Sequence, residues 1–439
     1  MRLSRRSLLL GAGALAFAPR TAFALAIPPR PGSAPRPSDV CFSSRWARTN
    51  AAEAARAFGA TRLDWCYGTD KAFFDAMRAV GIRTIGGALN AELPDAGSDN
   101  QYTLGRVLDR QGKRVTAPFM KSWGVFNGCV NSPEYRATYL GRAKQALVAG
   151  ADWFVTDDPG MNYTAIAWGG CYCRYCRKQA AAEGLDLDTQ MRPFQLRSVK
   201  RFYADMRVAI NRAAGREITL AGTSVVDTKY RWMAWPQTDF PFSCCELGEK
   251  GLNSQDLAAK LTGSELAGRP TVITLRSQSI ALNRRVLAWC YAHGGNMIAP
   301  WDVFLGEPLS STERFFGNPA DYAPLYQFAR SLGSLLDEAV PGNELPSGSW
   351  SASRPGLGTS LRVNPGGRFA VLHLVSWEND GPFSLTFDAA RLVAGHRVNA
   401  ARLLGPGGIA VALDHSVDGN FTCNVPGLTW AAVEMRLTA

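Results

Sequence analysis

The feature that most constrains this chain is an alternation of short apolar runs with polar loops and segments of helical period. Eight such runs fall at 40–43, 62–66, 84–89, 153–157, 219–223, 240–246, 271–275 and 297–300. Several are separated by good helices. Residues 50–58 are Ala-rich, and 70–80 carries Phe73, Phe74 and Met77 at helical spacing. The helix expected over 133–149 has Ser132 as a candidate N-cap and Pro133 at its first position, where the missing N–H costs nothing. A helix over 283–292 fills the last interval and ends at Gly294-Gly295. Strand–helix alternation implies a parallel sheet, and eight units suit a closed (β/α)8 TIM barrel. A dinucleotide-binding open sheet would need a Gly-rich phosphate loop after its first strand, and residues 40–46 contain no glycine.

From about Leu345 the texture changes. The runs at 368–377, 384–387, 409–413, 421–425 and 430–437 are short and partly alternating, with Gly and Pro turns between them. No helical segment intervenes, so the expected layout is α/β: a barrel over 39–340, then a small antiparallel β-sandwich over 345–439.

The first residues read as an address label. Arg5-Arg6 precedes an apolar run to about Ala18, and Ala22-Phe23-Ala24 and Ala24-Leu25-Ala26 both offer small-x-small cleavage sites. Residues 1–26 are therefore expected to be a twin-arginine export signal, with a general secretory signal as the alternative. A Pro-rich spacer is expected over 27–38. The apolar run is too short for about 30 Å of hydrocarbon, so no stable membrane insertion is expected after cleavage. The expected destination is the periplasm or the exterior. Removing Arg2, Arg5, Arg6 and Arg20 takes the formal charge from +11 to +7. The remaining basic residues form no dense run, so no nucleic-acid partner is expected. Oligomeric state is left open.

In a barrel the active site lies at the C-terminal ends of the strands. Those ends hold Ser44, Arg45 and Trp46; Asp64, Trp65 and Tyr67; Asn90 and Glu92; Asp157 and Asp158; Cys244, Cys245 and Glu246; Arg276; and Trp301 and Asp302. Carboxylates and aromatics dominate, and no histidine is present. The whole supply is His293, His373, His396 and His415, which argues against a His-bound catalytic metal or a Ser-His-Asp triad. Paired carboxyls with aromatic walls suit glycosidic bond cleavage, in which one acid protonates the leaving oxygen and the other acts as nucleophile or base. Asp157, Asp158 and Glu246 are the candidate catalytic residues. Adjacent residues in a strand point to opposite faces, so only one of the two aspartates should reach substrate directly. Trp46, Asp64, Trp65, Tyr67, Asn90, Trp123, Arg276, Trp301 and Asp302 are the candidate substrate-binding residues, with a carbohydrate as partner. Seven Trp (46, 65, 123, 168, 232, 235 and 301) fall near strand ends and loops, enough to expect two or three sugar-stacking contacts.

The run Gly150-Ala151-Asp152-Trp153-Phe154-Val155-Thr156-Asp157-Asp158-Pro159 resembles the fourth strand of secreted barrel glycoside hydrolases. The closing 295–301 and the appended β domain are similar too. The layout resembles the alpha-galactosidase-like retaining group, whose nucleophile follows strand four and whose acid/base follows strand six. The resemblance implies Asp157 or Asp158 as nucleophile and Glu246 as acid/base. The chain has Val155-Thr156-Asp157 where that group has Lys-Tyr-Asp, and Glu246 where it has Asp.

Cys171, Cys173 and Cys176 crowd the loop after Asp158, with no fourth ligand visible nearby. They are read as a candidate structural cluster, a disulfide or closed metal site bracing that loop. No cofactor and no catalytic metal are expected. Two other readings stay open: a non-catalytic carbohydrate-binding protein on the same scaffold, and a metal or redox enzyme using the Cys cluster.

Overall fold

A computed structural model describes residues 32–48, 50–94, 104–225, 240–250, 252–301, 318–393, 395–414 and 420–438. The export-signal reading of 1–26 lies outside them. Eight parallel strands form the barrel: β1 (Cys41–Phe42), β2 (Arg62–Cys66), β3 (Thr84–Asn90), β4 (Trp153–Asp157), β5 (Leu220–Val225), β6 (Ser243–Gly248), β7 (Thr271–Arg276) and β8 (Asn296–Met297). They pair in sequence order, and a parallel bridge from Ile298 back to Cys41 joins the ends of the ring. The eighth strand is shorter than the run 297–300, because Ile298 and Ala299 turn to meet β1.

The helices form where their ends are capped. Ser132 accepts a hydrogen bond from the Tyr135 N–H and Pro133 opens α3 (Pro133–Ala149), which stops at the left-handed Gly150. Asp70 caps α2 (Lys71–Ala79), and Ser279 caps α8 (Ile280–Ala292). Along each strand one set of side chains faces the lumen and the other faces the helices, as a period of two requires. Cys41, Trp153, Val155, Ala221, Cys244, Val272 and Ile298 belong to the lumen cluster. Phe42, Leu63, Ile85, Leu89, Phe154, Cys245 and Ile273 belong to the layer beneath the helices. The lumen is crowded, and Gly86 makes room for the Trp153 indole: a Cβ there would come within 2.3 Å of the ring.

Two expectations change at the N-terminal end of the barrel. The stretch expected as spacer is, from Ser33 on, part of the barrel floor. Ala34 sits in the lumen cluster, the Arg62 guanidinium donates to the Ser33 carbonyl, and the Asn296 amide donates to the carbonyls of Arg36 and Asp39. Asp64, expected to bind substrate at the mouth, is fully buried in the lumen and held by Arg62 through Nε and Nη2 at 2.9–3.0 Å. Arg62 in turn lies over the Trp153 ring at 5.2 Å. An isolated buried charge would cost several kcal/mol, so the pair stands or falls together.

The C-terminal β domain has a six-stranded antiparallel sheet facing a three-stranded one. Leu372, Leu374, Leu385, Phe387, Cys423 and Val433 form the core between them. The other face of the large sheet packs on the barrel: Phe369, Val371, Val375, Trp430 and Ala432 join the barrel's own helix-layer core. Phe369–Ser376 is therefore buried along its whole length, His373 and Ser376 included. Strands Leu357–Val363 and Arg397–Gly405 were not among the expected runs. The second mixes exposed and buried positions irregularly, so its pattern does not stand out. His373 is buried and His293 half-buried at this junction, and desolvation drives the latter down to about 3. Both stay neutral and structural at ordinary pH.

One ion pair fixes the junction. Arg362, in the large sheet, makes two bonds of 2.9 and 2.7 Å to Glu265 of α7 (Ser254–Leu266), and donates to the Ala339 carbonyl. Both side chains are buried. Glu265→Ala should cost about 3–5 kcal/mol by stranding the guanidinium. Denaturant unfolding checks the loss, and limited proteolysis should show cutting near residue 340 before the barrel is digested.

Candidate active site

Strand parity decides what reaches the mouth of the barrel. In β4, Trp153 and Val155 face the lumen, so Asp157 does too. In β6, Cys244 faces the lumen and Cys245 the helices, so Glu246 points inward. The two carboxyls the sequence singled out thus converge at the C-terminal opening, two strands apart. Asp158 takes another course. Its backbone is left-handed (φ 48°), and its charge acts on Tyr203, a buried residue of the helix layer. Of the adjacent pair, Asp157 is the one that faces Glu246.

Asp157 is held on two sides. The Tyr67 hydroxyl donates to Oδ2 in a short bond, and the Thr223 hydroxyl donates to Oδ1 at 3.2 Å. The Asp158 N–H also points at Oδ1, at 3.1 Å. Burial and the Asp157 charge push the Tyr67 phenol well above its ordinary value, so it remains a donor. Trp65 supports Tyr67 from below, donating from Nε1 to its oxygen at 3.1 Å. Trp46 stacks on Tyr67 with ring centroids 5.6 Å apart.

Glu246 has different surroundings. Arg45 approaches it to 4.0 Å and lies over the Trp65 ring at 5.0 Å. The Glu246 side chain is 38% exposed through the mouth, yet protein encloses it on its other sides. This enclosure, and next the Asp157 charge, push its carboxyl up to about 7 against the opposing pull of Arg45 and Arg276. One carboxyl is thus held by hydroxyl donors while its neighbour keeps a proton near neutrality. A carboxyl raised in this way is suited to donate a proton.

The other expected residues divide. Trp46, 39% exposed, is an aromatic face open at the mouth. Arg276 is exposed at the rim and acts electrostatically on Glu246. Trp65 and Trp301 are corrections: both are buried and neither offers a ring face to a ligand. Trp65 is a floor beneath Arg45 and Tyr67, while Trp301 lies under the helices against Phe42, 5.1 Å between centroids. The Asn90 side-chain oxygen is occupied by Arg142 of α3. Asp302 lies outside the described residues, as do Trp232 and Trp235, and the Trp123 side chain is not described. Two contributors were not among the candidate site residues: Arg45, noted only as a strand-end residue, and Thr223. Both lie at strand ends, and that position was the available signal. Cys171, Cys173 and Cys176 lie away from the two carboxyls, in a cluster of their own. A recess of about 670 Å³, lined by Ser33, Arg207, Glu217 and Arg269 among others, opens at the N-terminal end of the strands. It lies opposite the paired carboxyls, and the chemistry at the mouth is what defines the site.

No protein-family model and no curated protein matches the sequence. Solved structures do resemble it in fold. An alpha-amylase from Lactobacillus plantarum aligns over 91% of this chain and 99% of its own, with 10% identity and a TM-score of 0.54. The trehalose-6-phosphate hydrolase of Bacillus licheniformis aligns over 91% and 99% at 7% identity, TM-score 0.51. An alpha-glucosyl transfer enzyme aligns over 92% and 100% at 11% identity, TM-score 0.51. The shared feature is the architecture: a (β/α)8 barrel followed by a β domain.

The raised Glu246 value carries a stability signature. The folded chain binds this proton more tightly than the unfolded chain, whose carboxyl titrates near 4.5. The contribution is full below about 4.5 and is lost as pH rises through about 7. Glu246→Gln should remove that component, flattening the pH dependence of unfolding free energy between those values. Denaturant titrations of both proteins at pH 4.5, 6 and 8 check it.

Proposed function

We propose that this protein is a glycoside hydrolase acting by carboxylate acid/base chemistry on an oligo- or polysaccharide. The observation that carries the reading is the convergence of Asp157 and Glu246 at the barrel mouth, where enclosure and the Asp157 charge raise the Glu246 carboxyl. A glycosidic oxygen is a poor leaving group until it is protonated, and Glu246 is placed and tuned to do that. Asp157, fixed by Tyr67 and Thr223, is the partner for the anomeric carbon. It acts as nucleophile in a retaining reaction, in which Glu246 then serves as base toward water. Trp46 supplies an apolar face for a sugar ring, and Arg276 a donor for hydroxyls. The solved structures of similar fold include an alpha-amylase and a trehalose-6-phosphate hydrolase, in keeping with this chemistry.

We place the protein outside the cytoplasm, exported by the twin-arginine route, as the Arg5-Arg6 leader indicates. Among the described residues no helix is long and apolar enough to cross a membrane.

Asp157→Asn and Glu246→Gln should each lower turnover about 10²–10⁴-fold, the usual reach of one acid/base group. Both should keep sugar binding. Asp158→Asn should lose less than tenfold, because asparagine tolerates the left-handed backbone and the side chain faces away from Glu246. Screening aryl glycosides and polysaccharides identifies the substrate, and product NMR reads the anomeric outcome. Unchanged turnover in the Asp157 and Glu246 variants would remove both from the catalytic site, and sugar binding without turnover in the unaltered protein would leave a binding protein as the reading; inversion at the anomeric carbon would remove the nucleophile role from Asp157.

A further inference from the structure

The three crowded cysteines of the loop after β4 have a fourth companion. Cys129, 42 residues before Cys171, lies 3.7 Å from it, 3.5 Å from Cys173 and 3.6 Å from Cys176, sulfur to sulfur. All four sulfurs lie within 4.8 Å of one another, and all four residues are buried. None is joined to another in a disulfide, whose sulfurs would be about 2.05 Å apart.

We propose that Cys129, Cys171, Cys173 and Cys176 form a tetrathiolate site for one zinc ion. A tetrahedral ion with bonds of about 2.3 Å to four sulfurs requires them to stand about 3.8 Å apart, close to the separations seen. The space suits a single ion and leaves no room for a cluster with bridging sulfides. Four thiolates around a divalent zinc make a doubly negative centre, which needs donors around it. The chain provides them: the Asn131 amide donates to Cys176 at 3.3 Å, Asn162 donates to Cys129 at 3.3 Å, and Gln195 approaches Cys176 at 3.6 Å. Asn162 and Gln195 are fully buried and bonded to each other. Neutral thiols are weak acceptors, so buried amides turned toward sulfur fit thiolates far better. Val107, Val115, Ala165, Leu187 and Phe194 close an apolar shell around the group. With four protein ligands the site is coordinatively closed, and its role is structural.

The site joins two segments distant in sequence. Cys129 follows the strand Val125–Asn127, and Cys173 immediately precedes the helix Arg174–Ala182. Asn162 ties them further: it accepts from the Val130 N–H at 3.0 Å while donating to Cys129. Asn162 lies four residues after Asp158, in the short helix Met161–Ala165. The ion therefore braces the chain that leaves the acidic end of β4. This inference does not depend on the hydrolase reading.

The test uses the full chain, purified without a metal-affinity tag and without chelators. Elemental analysis should find one zinc per chain, and a thiol-reactive mercurial should release it stoichiometrically to a chromogenic chelator. Cobalt in place of zinc should give the spectrum of a tetrahedral thiolate centre. Cys129→Ser and Cys176→Ser should each lower zinc content at least tenfold, while Cys423→Ser, in the β domain, keeps it. If the cluster variants fail to fold, mercurial release from the unaltered protein decides. A folded, metal-free protein whose four thiols alkylate in the native state would overturn the proposal. So would an intact mass showing two disulfides among these cysteines, or stoichiometric iron in place of zinc.

Discussion

Everything at the barrel mouth depends on the packing of Trp153 and Phe154 against the paired glycines of β3. Gly86 accepts the Trp153 indole inside the barrel, and Gly87 accepts the Phe154 ring outside it; a Cβ at either would collide with the ring. The two contacts are mutually exclusive with any one-residue slip, because a slip would exchange the inner and outer rings. Fixing that register fixes the parity of β4, and parity puts Asp157 in the mouth. The same alternation in β6 puts Glu246 there. The site is a consequence of strand register before it is a matter of side-chain chemistry.

Charge inside the barrel is managed in two layers. Near the floor, Arg62 and Asp64 neutralise each other in full burial. At the mouth the balance is left unequal. Two carboxyls share a partly enclosed space, and Arg45 stands beside Glu246 at 4.0 Å. Enclosure and the Asp157 charge outweigh the pull of Arg45 and Arg276, so Glu246 keeps its proton to higher pH. Trp65 connects the layers, carrying Arg45 on its face and Tyr67 at its indole nitrogen.

Much of this was legible in the sequence. Strand–helix alternation gave the barrel, turn-punctuated runs gave the β domain, and strand ends selected Asp157, Glu246, Tyr67 and Trp46. What stayed hidden has physical causes. A barrel strand is apolar on both faces, so sequence alone does not separate a Trp at the rim from one under the helices; Trp301 is of the second kind. Asp64 lies near the end of its run, and position along the strand does not show that its side chain turns down to Arg62 inside the barrel. Cys129 was invisible as a companion of Cys171, since only folding brings residues 42 apart to 3.7 Å. The choice between Asp157 and Asp158 needed the backbone, which turns left-handed at the second.

Asp157 and Glu246 act as one electrostatic unit, and carboxyl titration by ¹³C NMR tests this without a substrate. With glutamate side chains labelled, Glu246 should titrate near 7 in the unaltered protein. Its value should fall toward the ordinary range in Asp157→Asn and stay in place in Asp158→Asn. A Glu246 carboxyl that titrates near 4.5 in all three proteins, or that responds to Asp158 and not to Asp157, would rule that coupling out.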